Sequence, residues 1–298
     1  MSEKSCPICL EKKVSLFIDK YEDINFKTTT EQFNLFSCSN CDAKFQSPFV
    51  SEQEVGKYYP QAAYHPFNLN KNVIQSNLKY NPQSIYLALL LKERSRDENF
   101  SLIDLGCGGG SFLMSVKSYF PNAELMGVDI SETAFENLKS TGIEALRRSM
   151  YDYEINRKFD YITSSQVLEH LNHPYNYLER LATLAKEDTK IMLDIPATDS
   201  YSAIKFGRYW VHWDLPRHSI MYSKTTLKYL LRNFTTVKLQ HAGSLAAFYS
   251  SYKLKRNKRV HNRSYLENLI LKIATKVAKI LSLNFLFSDK LVWIGKLK

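Results

Sequence analysis

The stretch from Phe100 to Ser111, FSLIDLGCGGGS, constrains this chain more than any other. Phe100, Leu102, Ile103 and Leu105 form a short apolar run of the length of a buried strand. The run ends in Asp104-Leu105-Gly106-Cys107-Gly108-Gly109-Gly110, and a helical pattern over 111–119 follows at once. Glycines packed this densely after a buried strand let the backbone turn tightly and approach a ligand closely. The helix start adds oriented N–H groups and the positive end of a dipole. The spacing is not GxGxxG, so a plain dinucleotide fingerprint fits poorly. A glycine-rich turn without a ligand is the competing reading.

Downstream of this stretch the pattern alternates strand and helix, which predicts a parallel sheet covered on both faces. Further strands are expected over 124–130, 143–146, 159–164, 190–195, 235–240 and 291–297. Helices are expected over 131–140, 171–185 and 223–233, with a long loop over 197–222. Upstream, 84–92 reads as an apolar helix, and 51–70, with Pro60, Pro66 and several tyrosines, as a connector. Asp129 closes the second strand about 20 residues past the glycine loop, where a carboxylate can accept hydrogen bonds from ribose hydroxyls. It could instead cap the helix that begins at Ser131. Loop and acid together argue for a nucleoside-containing cofactor.

Four of the five cysteines form two Cys-x-x-Cys pairs, Cys6/Cys9 and Cys38/Cys41, and the fifth is Cys107 in the glycine loop. Each pair closes a turn able to point two thiolates at one tetrahedral ion, so residues 1–50 read as a zinc ribbon with short strands near 14–18 and 33–36. The 28 residues between the pairs require a long inter-knuckle loop. Such a closed site stabilises folding and performs no chemistry. Metal-type cysteine grouping suits a reducing compartment. With no secretory pattern after Met1 and no apolar run long enough to span a bilayer, the expected location is cytoplasmic.

Charge is distributed unevenly. Residues 1–227 carry 25 Lys/Arg against 28 Asp/Glu, whereas 228–298 carry 15 against 2, Glu267 and Asp289. The basic segment 242–288 also holds Leu266, Leu269, Ile270, Ile273, Val277 and Ile280 at helical spacing. An anionic membrane surface, met through 252–283 at the inner face of the membrane, suits that combination. RNA phosphates suit the charge but not the aromatic spacing. Packing on the protein itself or on a second subunit is the plain alternative.

At residues 99–240 the chain resembles class I S-adenosylmethionine-dependent methyltransferases. The resemblance rests on Asp104 to Gly110, on Gly127-Val128-Asp129-Ile130-Ser131, and on Phe159-Asp160 through Val167-Leu168-Glu169-His170-Leu171. Pro174, Ile195-Pro196 and Trp213-Asp214-Leu215-Pro216-Arg217-His218 continue it. The last motif, joined to the N-terminal CPxC…CxxC knuckle, is typical of a subgroup associated with polysaccharide and lipid-linked glycan pathways. The implied fold is α/β: a Rossmann-like seven-stranded sheet with a small N-terminal zinc ribbon and a helical insertion before the last strand. The expected segments are the ribbon (1–50), connector and leading helix (51–98), cofactor-binding core (99–241), basic insertion (242–288) and final strand (289–298).

The resemblance implies that Asp104 and the backbone of Gly106, Cys107 and Gly108 line the methionine half of S-adenosylmethionine. It places Asp129 on the ribose, Ile130 and Met150 or Tyr151 against the adenine, and Ser165 and Gln166 at the closing side. The family more often has Gly-Asp where this chain has Ser149-Met150, so an aspartate contact to the adenine amine would fall to Asp152. A sulfonium is already an activated methyl donor, so the protein mainly aligns a nucleophile. A hydroxyl nucleophile needs a base, for which His218 is the first candidate and His170 the second. Arg217 could clamp an acidic group on the acceptor; alternatively Asp214, Arg217 and His218 only pin the loop. The chain also resembles ubiquinone-type O-methyltransferases, whose Glu-x-x-Glu-His binds a divalent ion, but Gln166 stands at the first position here. The expected function is methylation of a sugar or lipid-linked glycan hydroxyl, the acceptor being a small molecule or a lipid-linked saccharide. A tRNA or rRNA methyltransferase, a quinone-type enzyme and a non-catalytic scaffold are the alternatives.

Overall fold

The computed structural model describes residues 5–60, 90–243, 245–258, 264–280 and 287–298. Most of the helix expected over 84–92 and the end of the 51–70 connector therefore lie outside the described residues.

Two sheets organise these residues. The larger has seven strands. Its centre is β4 (Ser101–Leu105), flanked in parallel by β5 (Glu124–Asp129) and β7 (Phe159–Ser165). Outward lie β6 (Glu144–Arg147) on one side and β8 (Ala185–Pro196) on the other, both parallel to their neighbours. β11 (Ser288–Leu297) runs antiparallel between β8 and β10 (Phe234–Gly243). This is the seven-stranded sheet expected from the sequence, and its mainly parallel run explains why β4 reads as almost continuously apolar. Alternate residues of β4 serve opposite faces: Leu102 joins one buried cluster, Ile103 and Leu105 the other.

Helices cover both faces. After a single turn, α1 (Glu52–Val55), come α2 (Ser111–Tyr119) and α3 (Glu132–Lys139). α2 contributes Phe112, Leu113 and Val116 to the Leu102 side, and Leu138 of α3 joins them. α4 (Pro174–Thr183) opens on Pro174, whose fixed φ suits a first helical position, and buries Tyr177, Leu178 and Leu181 on the Ile103 side. α5 (Tyr201–Phe206) and α6 (Lys224–Leu230) are each capped by a serine, Ser200 and Ser223, accepting from an amide three residues on. Between β10 and β11 the chain forms α7 (Leu245–Lys255) and α8 (Tyr265–Ile280).

The smaller sheet has the order β1-β2-β3-β9: β1 (Val14–Tyr21), β2 (Phe33–Cys38), β3 (Lys44–Gln46) and β9 (Ile220–Met221). Its fourth strand comes from the loop just after His218, with Phe45 paired to Ile220 and Lys44 to Met221. The N-terminal module is thus completed by the core. Ile8, Phe36 and Phe45 share a cluster with Leu168 and Tyr222, while Tyr21, Leu35 and Phe33 pack with Trp210, Trp213 and Leu215. A two-residue strand carries no periodic signal, which is why the sequence shows only a loop there.

Candidate functional site

The parallel strands bring Asp104, the glycine loop and Asp129 together at one edge. Gly106 sits at φ +77°, and a Cβ there would lie 2.2 Å from Cγ2 of Val167, so only glycine fits. Gly108 N donates to Asp129 Oδ2 at 2.8 Å, and Ser131 N donates to Asp129 Oδ1 at 2.9 Å. Asp129 therefore ties the loop to the start of the following helix and retains further lone pairs for a ligand. The Gly106 and Cys107 amides both donate to the Val128 carbonyl, at 2.7 and 3.1 Å. These two amides are occupied within the protein, so at these positions the loop offers close backbone approach. Cys107 turns its thiol into the buried Leu113 side, contributing backbone alone, and burial pushes its pKa well up.

Asp104 is buried and accepts from Thr163 Oγ1 at 2.7 Å. Burial, only partly opposed by that bond, pushes its pKa up to about 7. Burial also raises Asp129 against three backbone hydrogen bonds. Beside Asp129, the Ile130 side chain is 62% exposed, an apolar surface suited to an aromatic ring. Arg148 N donates to the Asp129 carbonyl, bringing alongside it the strand that leads to Met150. Met150 is buried, while the Tyr151 hydroxyl accepts from His173 N at 3.1 Å and so is tied to the start of α4. Asp152 is exposed. Ser165 Oγ donates to Asp194 Oδ2 at 3.0 Å, and Gln166, at φ +56°, donates its amide to the Asp194 carbonyl at 2.7 Å. Asp194, itself paired with Lys290 at 2.8 Å, is a polar anchor of this edge that the sequence reading missed. An acid inside the apolar run KIMLDI was its available signal.

One turn beyond Val167, Glu169, His170 and His218 converge, with one ligand atom from each lying within 4.8 Å of the others. Glu169 is fully buried, and neither carboxylate oxygen has a hydrogen-bond partner among the described residues. Desolvation by burial pushes its pKa well above the ordinary carboxylate value. Ser219 N donates to the Glu169 carbonyl at 2.7 Å, zipping the His218 loop to this turn. His170 Nδ1 lies 2.9 Å from the Arg217 carbonyl and 3.1 Å from the Tyr59 hydroxyl. His218 Nδ1 lies 2.7 Å from the His212 carbonyl. A carbonyl only accepts, so both Nδ1 atoms carry the proton and both Nε2 atoms are left basic. The rings meet edge to face, with centroids 4.5 Å apart. Burial lowers the pKa of both, that of His218 to about 3.

Of the two histidines expected as bases, His218 is 6% exposed and His170 is the more open. Arg217 needs a correction: it is fully buried and cannot reach an acceptor. Its guanidinium donates to Asp23 Oδ1 at 2.7 Å and Oδ2 at 3.1 Å, to both oxygens of Asp214 at 2.8 and 2.9 Å, and to the Tyr58 carbonyl at 2.8 Å. Burial disfavours these charges, but their mutual attraction prevails: the pKa values of Asp23 and Asp214 lie below the usual carboxylate range and that of Arg217 above its own. Asn25 Nδ2 adds bonds to Asp214 Oδ1 at 2.6 Å and to the Val211 carbonyl at 2.7 Å. Arg217 thus locks the His218 loop to the long turn between β1 and β2.

The four N-terminal cysteines converge as expected. Sulfur separations are 3.5 Å for Cys6–Cys41 and 3.4 Å for Cys9–Cys38, near the ~3.8 Å edge of a tetrahedron with ~2.3 Å metal–sulfur bonds. Ile8 N and Asn40 N each donate to a sulfur, of Cys6 and Cys38 respectively, at 3.4 Å. All four are free thiols, and the bond from Cys41 draws the Cys6 pKa down to about 5 while raising that of Cys41. The donor set, its spacing and its N–H···S bonds fit a structural zinc ion. Thr226 Oγ1 donates to the Cys41 carbonyl and Tyr175 Oη to that of Ile8, pinning both knuckles to the core.

A family described as "Methyltransferase domain" matches residues 74–237, more than half of the chain. The chain belongs to that family. Among curated relatives it is similar to malonyl-[acyl-carrier protein] O-methyltransferase 2 of Ilyobacter polytropus, 22% identical over 140 residues, covering 45% of this chain and 54% of that one. It is also similar to the mitochondrial ubiquinone biosynthesis O-methyltransferase of Schizosaccharomyces pombe, 26% identical over 117 residues, covering 36% of this chain and 42% of that protein. The chain thus spans about half or less of the length of these relatives. A solved structure of coclaurine N-methyltransferase, bound to N-methylheliamine and SAH, superposes with a TM-score of 0.50 at 13% identity, covering 72% of this chain and 70% of that one. That likeness concerns the fold. In this methyltransferase-domain chain, the glycine loop, Asp129 and the Glu169–His170 turn all lie inside the matched residues, whereas the cysteine module lies before them.

Proposed function

We propose that this protein is an S-adenosylmethionine-dependent methyltransferase acting in the cytoplasm on a hydroxyl of a sugar or lipid-linked glycan intermediate. The carrying observation is the edge formed by Asp104, Gly106 and Asp129, with the Gly108–Asp129 hydrogen bond drawing loop and acid together beside exposed Ile130. These residues fit the cofactor. The loop has no room for a Cβ at Gly106, and Asp104 is a buried carboxylate without a cationic partner among its hydrogen bonds. When bound, the cofactor supplies a methyl group already activated on a sulfonium.

The chain's own residues bind and orient. With the cofactor bound, Asp104 would stabilise the positive charge of the methionine half, Asp129 would accept from the ribose, Ile130 and Met150 or Tyr151 would cover the adenine, and Ser165 and Gln166 would close the far side. His170, with Nδ1–H held by the Arg217 carbonyl, presents Nε2 to take the acceptor hydroxyl's proton. His218 packs against its ring and fixes its orientation. Arg217 positions this pair and does not touch the acceptor. The cysteine quartet would hold a structural zinc, which would stabilise the module carrying Asp23.

The glycan-type acceptor is supported by the Trp213-to-His218 motif occurring together with the cysteine knuckles. The test incubates the protein with methyl-labelled cofactor and separated cell fractions. Label in glycan or lipid material is expected; label only in RNA overturns the acceptor class. A second reading, quinone-type O-methylation, is favoured by the orphaned buried carboxylate of Glu169 beside two histidines, which could hold a divalent ion. Transfer that magnesium or manganese restores after chelation would support it.

A further inference from the structure

The segment between β10 and β11 carries an apolar helix face that has no covering element among the described residues. On α8, Leu266, Leu269, Ile270 and Ile273 are 62, 41, 55 and 55% exposed. Their spacing puts them on one side of the helix, and a stripe of this kind is normally buried. Tyr252 of α7 adds an aromatic ring, 42% exposed. No helix among the described residues is long and apolar enough to cross a membrane, so a helix like α8 would lie in an interface, not span it.

The part of the chain that carries this stripe is strongly basic. Residues 228–298 hold 15 Lys/Arg and two acids, and both acids are committed internally. Glu267 accepts from Tyr249 Oη and Ser264 N and pairs with Lys253 at 3.3 Å, fastening α8 to α7. Asp289 is 1% exposed and lies 3.1 Å from His212 Nε2. Lys255, Arg256 and Lys258 remain exposed at the end of α7, and the α8 sequence adds Lys272, Lys276 and Lys279.

We propose that α7 and α8 dock this protein on an anionic lipid surface. A second copy of the chain would bring two such basic segments together, and like charge opposes that. A nucleic acid would meet the charge but leave the apolar stripe in water. An anionic bilayer satisfies both, taking Leu266, Leu269, Ile270 and Ile273 below its headgroups while the lysines meet its phosphates. α7 also packs on the 201–218 segment. Phe248 of α7 packs on Phe206, with centroids 4.8 Å apart, and Val211 N donates to Ser251 Oγ at 3.0 Å. A bilayer-bound α8 therefore holds the 201–218 segment near the lipid surface. The proposal deepens the lipid-linked reading above, but its test does not depend on turnover.

The test sediments the full-length, zinc-loaded protein with vesicles of phosphatidylcholine alone or mixed with phosphatidylglycerol. Binding is expected only to the mixed vesicles and should weaken as salt is raised. The Leu269→Glu/Ile273→Glu double variant, changed at exposed positions, should lose binding by about tenfold or more while its affinity for S-adenosylhomocysteine stays unchanged. Lys255→Glu/Arg256→Glu should remove the preference for phosphatidylglycerol. Absence of binding to the mixed vesicles, or equal binding by the double variant, overturns the docking and leaves the methyl-transfer reading intact. A wild-type dimer that the double variant dissociates overturns it in favour of self-association, and retention by RNA alone overturns it in favour of nucleic acid.

Discussion

Replacing Asp23 by alanine should loosen the loop that carries His218 without disturbing the cofactor edge. Arg217 is wholly buried between Asp23 and Asp214, and Asp23 supplies two of its charge-assisted hydrogen bonds. Removing one partner of a buried pair costs about 3–5 kcal/mol, and because Asp214 still neutralises Arg217, a cost near the lower limit, about 3 kcal/mol, is expected. With a factor of ten for each ~1.4 kcal/mol, local opening of the loop should rise by about a hundredfold. Hydrogen exchange followed by mass spectrometry reads this directly, comparing peptides over 211–221 with those over 101–105 and 159–165. The first should exchange about a hundredfold faster in Asp23→Ala and the others at their wild-type rates. Acid should mimic the variant. Because Arg217 holds the Asp23 pKa below its ordinary value of 3.8 despite burial, the pair's contribution is complete above that value and is lost as pH falls through the folded-state one. Unchanged exchange over 211–221, or a uniform rise across the central sheet, would refute the lock.

Other perturbations probe other parts. Gly106→Ala places a Cβ against Val167 at a left-handed φ, so its denaturation midpoint should fall by the equivalent of about 1–3 kcal/mol, with weaker cofactor binding; an unshifted midpoint contradicts the close packing. Asp104, with a folded-state pKa of about 7, contributes stability that is full below 3.8 and is lost as pH rises through about 7. A bound positive charge favours its ionised form, so calorimetry should show S-adenosylhomocysteine binding tightening from pH 6 to 8 with proton release. A flat profile in wild type, or an unaltered one in Asp104→Asn, contradicts that assignment. Metal analysis should find one zinc per chain, and Cys41→Ser should lose it together with thermal stability; metal-free protein of unchanged stability contradicts the structural site.

The central strand, the glycine turn, Asp129 and the cysteine quartet were legible because each is a local pattern: an apolar run, a glycine cluster, an acid at a strand tip, a repeated Cys-x-x-Cys. What escaped the sequence depends on contacts between distant residues. Arg217 looks like a ligand-binding residue until Asp23, in a separate module, is placed on it. The glycine-loop amides look available until the neighbouring parallel strand sets the Val128 carbonyl beside them. The deeper burial of His218 relative to His170 likewise does not show in their spacing, since it depends on how the distant loop packs. Even β9, two residues long, becomes visible only through its partner β3.

In the proposed function, the edge of β4 and β5 binds S-adenosylmethionine through the glycine loop and Asp129. Calorimetric titration with S-adenosylhomocysteine, the demethylated product, tests it most directly. Wild-type protein should bind one equivalent, and Asp129→Ala, losing charge-assisted bonds of about 1.5–3 kcal/mol, should bind roughly ten- to a hundredfold more weakly. No heat with the wild-type protein, or equal affinity in the variant, would contradict it.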